Sequence, residues 1–113
     1  MSEKTKRIDF VAALRYRTTE EGGRKTPVFN SGYRPQIKFE FSEMQTSGEQ
    51  RFLNKETVYP GDTVDAEIEV LSSNIFENNL SEGMTFEFRE GSKIIGAGTI
   101  KQIINVRLKK ASR

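Results

Sequence analysis

Apolar and polar residues alternate along several separate stretches of this chain. From Asp9 to Arg17, Phe10, Ala12, Leu14 and Tyr16 fall on one face and Val11, Ala13, Arg15 and Arg17 on the other. Ile37, Phe39 and Phe41 alternate with Gln36, Lys38 and Glu40. Val64, Ala66, Ile68 and Val70 oppose Asp65, Glu67 and Glu69, and Met84, Phe86 and Phe88 oppose Thr85, Glu87 and Arg89. A period of two separates faces cleanly on a strand, whereas a helix would scatter these residues round its axis. Glu90-Gly91-Ser92 and the β-branched run Lys93–Ile104 complete a hairpin with the last of these strands. Inside that run, Gly96-Ala97-Gly98 marks a bulge or a close backbone approach.

Between the strands the pattern lapses. Ser42–Gly48 reads as a turn region, Arg51–Leu53 as a brief apolar strand, and Tyr59-Pro60-Gly61-Asp62 as a tight turn. Ser72–Gly83 reads as irregular chain packed down by Ile75, Phe76 and Leu80. No stretch has the period of an amphipathic helix. Short strands punctuated by turns predict an all-β barrel or sandwich with antiparallel neighbours. The barrel is expected over residues 9–104, with a flexible N-terminus (1–8) and a basic C-terminal tail (105–113).

Thr18–Gln36 is long for a connection in a small domain, and long ordered loops are often functional. Its segment Gly22–Gln36 holds three glycines (Gly22, Gly23, Gly32) and two prolines (Pro27, Pro35), which should set its shape. Arg24, Lys25, Arg34 and Lys38 lie in or beside it, with Tyr33 among them. Cations beside an aromatic suit phosphate and base or sugar contacts. The competing reading is that Arg34 and Tyr33 pack over a barrel end and hydrogen-bond loop carbonyls.

Charge is unevenly spread along the 113 residues. Residues 1–38 carry nine Lys/Arg against four Asp/Glu, residues 39–90 three against twelve, and residues 91–113 six against none. If the two ends of the chain meet in the fold, it has a basic and an acidic side; the alternative is a surface with both signs interspersed. Histidine and cysteine are both absent. That removes the commonest general base, thiolate chemistry and disulfides, so an enzyme is the disfavoured reading and a reducing, cytoplasmic setting fits. No apolar run approaches the roughly 20 residues of a membrane-spanning helix. Gly22-Gly23-Arg24-Lys25-Thr26 has the wrong spacing for a phosphate-binding loop, so no nucleotide is expected. No cofactor or metal is expected either: alternate acids on one strand, such as Asp65, Glu67 and Glu69, stand about 7 Å apart, and a solvated acidic face is the better reading.

Several motifs in one order carry a resemblance. Glu20-Glu21-Gly22-Gly23-Arg24-Lys25-Thr26-Pro27, Phe29, and Gly32-Tyr33-Arg34-Pro35-Gln36 resemble the C-terminal domain (domain III) of elongation factor Tu. So do Tyr59-Pro60-Gly61-Asp62, Phe88-Arg89-Glu90-Gly91 and Gly96-Ala97-Gly98, over about residues 9–104. The resemblance implies a six-stranded antiparallel β-barrel that contacts the T-stem of tRNA and meets protein partners, here without its GTPase domain. It implies RNA-facing roles for Gln36, Glu90 and Gly91, and one for Thr46 or Ser47. It also implies that Arg24 and Arg34 mostly serve the loop. Lys25 stands where the family has histidine, Glu40 where it usually has a cation, and Ser92 where it has glycine.

Two functions follow. One is a non-catalytic module contacting tRNA, ribosomal RNA or another RNA through Arg24, Lys25, Arg34, Gln36, Lys38, Glu90 and Gly91. The other is a protein-interaction module derived from the same domain.

Overall fold

The computed structural model describes residues 7–111. Its strands are β1 (Phe10–Tyr16), β2 (Val28–Phe29), β3 (Gln36–Phe39), β4 (Gln45–Phe52), β5 (Thr57–Val58), β6 (Thr63–Val70), β7 (Thr85–Glu90) and β8 (Lys93–Ile103). Six of them close into a barrel in the order β1-β6-β4-β3-β7-β8, and β2 and β5 form a separate two-stranded ribbon. Every barrel pairing is antiparallel. The expected all-β, six-stranded architecture is therefore the one observed.

The alternating positions face as their pattern predicts. Phe10, Ala12, Leu14 and Tyr16 of β1, the even apolar residues of β6, and Phe86 and Phe88 of β7 fill the interior. Phenylalanines supply much of its volume: Phe10, Phe39 and Phe86 meet at edge and tilted angles, and Phe76 closes on Phe39 with ring centres 5.0 Å apart. Such ring pairs add to the burial term that drives closure. Gly96 and Gly98 lie opposite Phe88 and Phe86. A Cβ on Gly96 would strike the Arg15 carbonyl and the Phe88 ring, and one on Gly98 the Phe86 ring and Leu14. These two glycines let large rings fill a small barrel, and the pairing slips beside them, between Phe88 and Arg89.

Two expectations change. First, the expected turn region Ser42–Gly48 is a turn only as far as Met44: β4 begins at Gln45 and runs eight residues. Its interior positions are Thr46, Gly48, Gln50 and Phe52, so the strand lacks the apolar alternation that would announce it. Gly48 is small because a Cβ there would meet Ile37, and Gln50 accepts the Tyr16 hydroxyl. Second, β3 stops at Phe39; Phe41 sits in the following turn, 45% exposed and stacked on Phe39. The basic tail, whose order the sequence leaves open, is docked over residues 105–110. A 3-10 turn (Val106–Leu108) buries Leu108, and Leu80 and Lys109 form a parallel bridge. Of the expected flexible N-terminus, residues 1–6 lie outside the described residues; Arg7 hydrogen-bonds Asp9 and the Val70 carbonyl.

Candidate functional site

The topology gives the barrel two dissimilar ends. β1 leaves one end at Tyr16 and enters the long loop; β3 returns from that loop at Gln36, and the β7–β8 turn lies beside it, since Tyr16 pairs with Gly96 and Gln36 with Arg89. The start of β1 and the end of β8 lie at the other end, where Phe10 pairs with Ile103.

The loop is ordered by its own chemistry. Thr18 and Glu21 exchange bonds: the Thr18 amide donates to Glu21 Oε1 at 2.9 Å and the Glu21 amide to Thr18 Oγ1 at 3.1 Å. Gly22 and Gly32 have φ of +95° and +96°, a conformation most residues avoid. Gly23 packs on the Arg17 carbonyl with no space for a Cβ. Val28 pairs with Val58, placing the segment after Pro27 in the small ribbon. Farther on, the Gly48 amide donates to the Pro35 carbonyl and the Gln50 amide to the Tyr33 carbonyl, so residues 33–35 run along β4.

Glu90 fastens this loop to the hairpin turn. It pairs with the Arg24 guanidinium and accepts the Tyr33 hydroxyl at 2.5 Å, while Arg24 lies over the Tyr33 ring, 5.5 Å from its centre. Burial works to raise the Glu90 pKa, but the Tyr33 and Arg24 bonds outweigh it and hold the carboxyl below the usual glutamate range. Burial, then the Glu90 bond, pushes the Tyr33 phenol up. Burial does the same to Tyr16, whose hydroxyl lies deeper, on Gln50. Gln50 Nε2 has no hydrogen-bond partner among the described residues.

The expected site residues therefore divide. Arg24 and Glu90 engage each other, and Arg34 pairs with the buried Glu49 at 3.1 Å. Lys25 is exposed and makes no ion pair among the described residues. Gln36 and Lys38 stand on the outer face of β3; Gln36 lies opposite Ser47 on one side and Arg89 on the other. Lys38 faces Gln45 and Glu87, and Glu87 pairs with Arg89 at 2.6 Å. Gly91 forms the adjoining turn. Of the two candidates for the family threonine, Ser47 faces outward beside Gln36, whereas Thr46 is buried and accepts the Ser72 amide. Spacing along the chain could not have found the pairing of Arg24 with Glu90, 66 residues apart. Glu40 lies in the turn directly after β3 and lines a cleft with Lys38, Glu87 and Arg89 of this outer face.

The charge asymmetry of the sequence is largely resolved by ion pairs. Asp65 meets Lys101 at 2.9 Å across β1, and Arg51 meets Glu69 at 3.1 Å and Glu67 at 4.0 Å. The acidic strand face is a ladder of pairs, flanked by cations, rather than a bare negative side.

A family model of the elongation factor Tu C-terminal domain matches residues 4–104. The chain belongs to that family. Closure into six antiparallel strands agrees with it. The chain is thus a translation-factor-related β-barrel module, and the C-terminal domain of elongation factor Tu is itself non-catalytic. Among the described residues, no helix is long and apolar enough to cross a membrane.

Proposed function

We propose that this barrel is a non-catalytic RNA-contacting module of the cytoplasm whose ligand is tRNA, bound across the outer face of β3 beside the Glu90–Gly91 turn. The observation that carries it is the register that sets Gln36 between Ser47 and Arg89. An amide, a hydroxyl and a guanidinium in a row can bond ribose hydroxyls and phosphate oxygens along one strand of a duplex. Lys25, Lys38 and Lys93 add charge beside this face, while Arg24 and Arg34 hold the loop rather than the ligand. The bonds that Glu90 accepts from Arg24 and Tyr33 fix the turn that presents Gly91.

The test is tRNA binding by filter retention across a salt series, with wild type, Gln36→Ala and Ser47→Ala. Each variant is expected to weaken binding several-fold at unchanged melting temperature, and affinity should fall steeply with salt. Equal binding by all three proteins, or binding indifferent to salt, overturns the reading.

A protein-interaction role is supported by a different observation. Phe29 (62% exposed) of β2 and Tyr59 (56% exposed), which directly follows β5, are exposed on and beside the ribbon. Exposed aromatics at one site are what interfaces use as anchors. Recovery of the same partner by wild type and by Phe29→Ser/Tyr59→Ser from nuclease-treated extract would count against it.

A further inference from the structure

The nine residues beyond the family match, 105–113, hold four cations and no acid. The described part of this segment is held in place. Asn105 does the holding: its Nδ2 donates to Asp9 Oδ1 at 2.9 Å, and its Oδ1 accepts the Arg107 amide at 3.2 Å. Leu108 is fully buried, and the Lys110 amide donates to the Leu80 carbonyl at 2.7 Å. The cations of the segment are thus displayed from a packed turn.

Arg107 and Arg7 flank a cleft of about 470 Å³ completed by Ser73, Glu77 and Asn105. The Arg7 guanidinium already pairs with the buried Asp9 and stands 4.0 Å from Glu69, and it keeps its side chain 47% exposed. Arg107 and Lys110 are exposed and make no ion pair among the described residues, and Lys109 reaches Glu82 at 3.6 Å. Glu77 is the acid on the cleft wall itself. Glu40 and Glu43 lie in the β3–β4 turn, and β3 stands three strands from β1 in the barrel order. The cations therefore form a stripe across the terminal end: Arg7 stands against Val70 of β6, and Arg107 to Lys110 run along residues 78–80. Seven residues of β1 separate this stripe from the loop end, a distance of about 20 Å.

We propose that this stripe, centred on the Arg7–Arg107 cleft, is a second RNA contact that grips the phosphate backbone without reading sequence. Two guanidiniums facing a hydroxyl and an amide supply the donors a phosphodiester needs, and Lys110 extends the positive charge past the cleft. Glu77 at the cleft wall moderates the affinity. The site does not require the β3 face to bind tRNA, since its ligand chemistry is any RNA backbone.

The experiment uses the full chain and an RNA duplex of about 12 base pairs with no tRNA-derived sequence, titrated by fluorescence anisotropy over a salt series. Arg107→Gln/Lys109→Gln/Lys110→Gln keeps Leu108 and Asn105, so the turn should stay docked, which a thermal melt verifies. This variant is expected to bind the duplex at least about tenfold more weakly, with a salt slope smaller by about 2 to 3. Glu77→Gln should bind more tightly than wild type. Because the β3 face can also bond a duplex backbone, the triple substitution is repeated in the Gln36→Ala/Ser47→Ala background, where its weakening of duplex binding should persist in full. Equal affinity and slope for wild type and the triple variant overturn the proposal, as does a wild type that ignores the duplex. Loss of tRNA binding alone bears on the β3 face. Vesicles with anionic lipids bound in preference to the duplex would also overturn it, by assigning the stripe to a membrane surface.

Discussion

Asn105 and Asp9, 96 residues apart, are joined side chain to side chain at 2.9 Å. The buried Asp9 carboxylate also accepts the Val70 amide at 2.8 Å and pairs with Arg7, and its carbonyl accepts the amides of Ile104 and Asn105. One residue thereby ties the start of β1, the end of β6 and the C-terminal segment. Asn105→Ala is expected to cost about 1–2 kcal/mol, the worth of a partly buried bond to a charged group. Ending the chain after Ile104 should cost about 2–3 kcal/mol, chiefly through the lost burial of Leu108. Urea unfolding checks both; a truncation as stable as the full chain would show that the docked segment contributes nothing.

Tyr16 and Gln50 form a polar pair inside an otherwise apolar barrel end. Tyr16→Phe leaves the Gln50 amide with neither end bonded and should cost about 1–3 kcal/mol. Gln50→Met in the Tyr16→Phe background should restore much of that, since an apolar side chain of similar shape no longer needs the hydroxyl. A double-mutant cycle measures the coupling, and additive losses would contradict the pairing.

Gly98→Ala should cost about 1–3 kcal/mol, because the new methyl must displace the Phe86 ring and Leu14. Gly96→Ala should cost more, because one of the atoms it meets is the Arg15 carbonyl, which cannot swing away. Chemical denaturation gives the order directly, and two neutral variants would contradict the close approach.

The Glu90 latch predicts an acid-sensitive loop. Its folded pKa is depressed below the ordinary 4.5, so its stabilisation is present above that value and is lost as pH falls through the lowered one. The groups facing Glu90 are Tyr33, Arg24 and Lys93. Acidification below about pH 4 should therefore change the environment of the Tyr33 ring, seen by NMR, before the barrel unfolds. Glu90→Gln should show that environment already altered at about pH 7 and little further change with acid. An unchanged acid response in the variant would place the sensitivity elsewhere, with Glu21 and Glu82 the next groups to test, since backbone bonds hold both below the usual range.

β1, β6 and the β7–β8 hairpin are legible in the sequence because each buries a row of alternating apolar side chains. β4 is not, because its interior carries Thr46, Gly48 and Gln50, chosen by a neighbouring Ile37 and a facing Tyr16 rather than by hydrophobicity. β2 and β5 are two residues each, too short to show a period. At the candidate site, Gln36 and Gly91 could be singled out through their motifs. The engagement of Arg24 with Glu90 and of Arg34 with Glu49 depends on strand register, which a linear sequence does not display. The choice of Ser47 over Thr46 depends on it too, because a shift of one residue exchanges the faces of a strand.

Closure of the barrel has one more consequence. A ring of six ladders leaves no unpaired strand along its wall, so the long β8 and the polar β4 offer no template on which another chain could add a strand. The two-residue ribbon is too short to serve as one. Self-association of this protein at high concentration should accordingly proceed through side chains, leaving its amide exchange pattern unaltered, and should not progress to fibres.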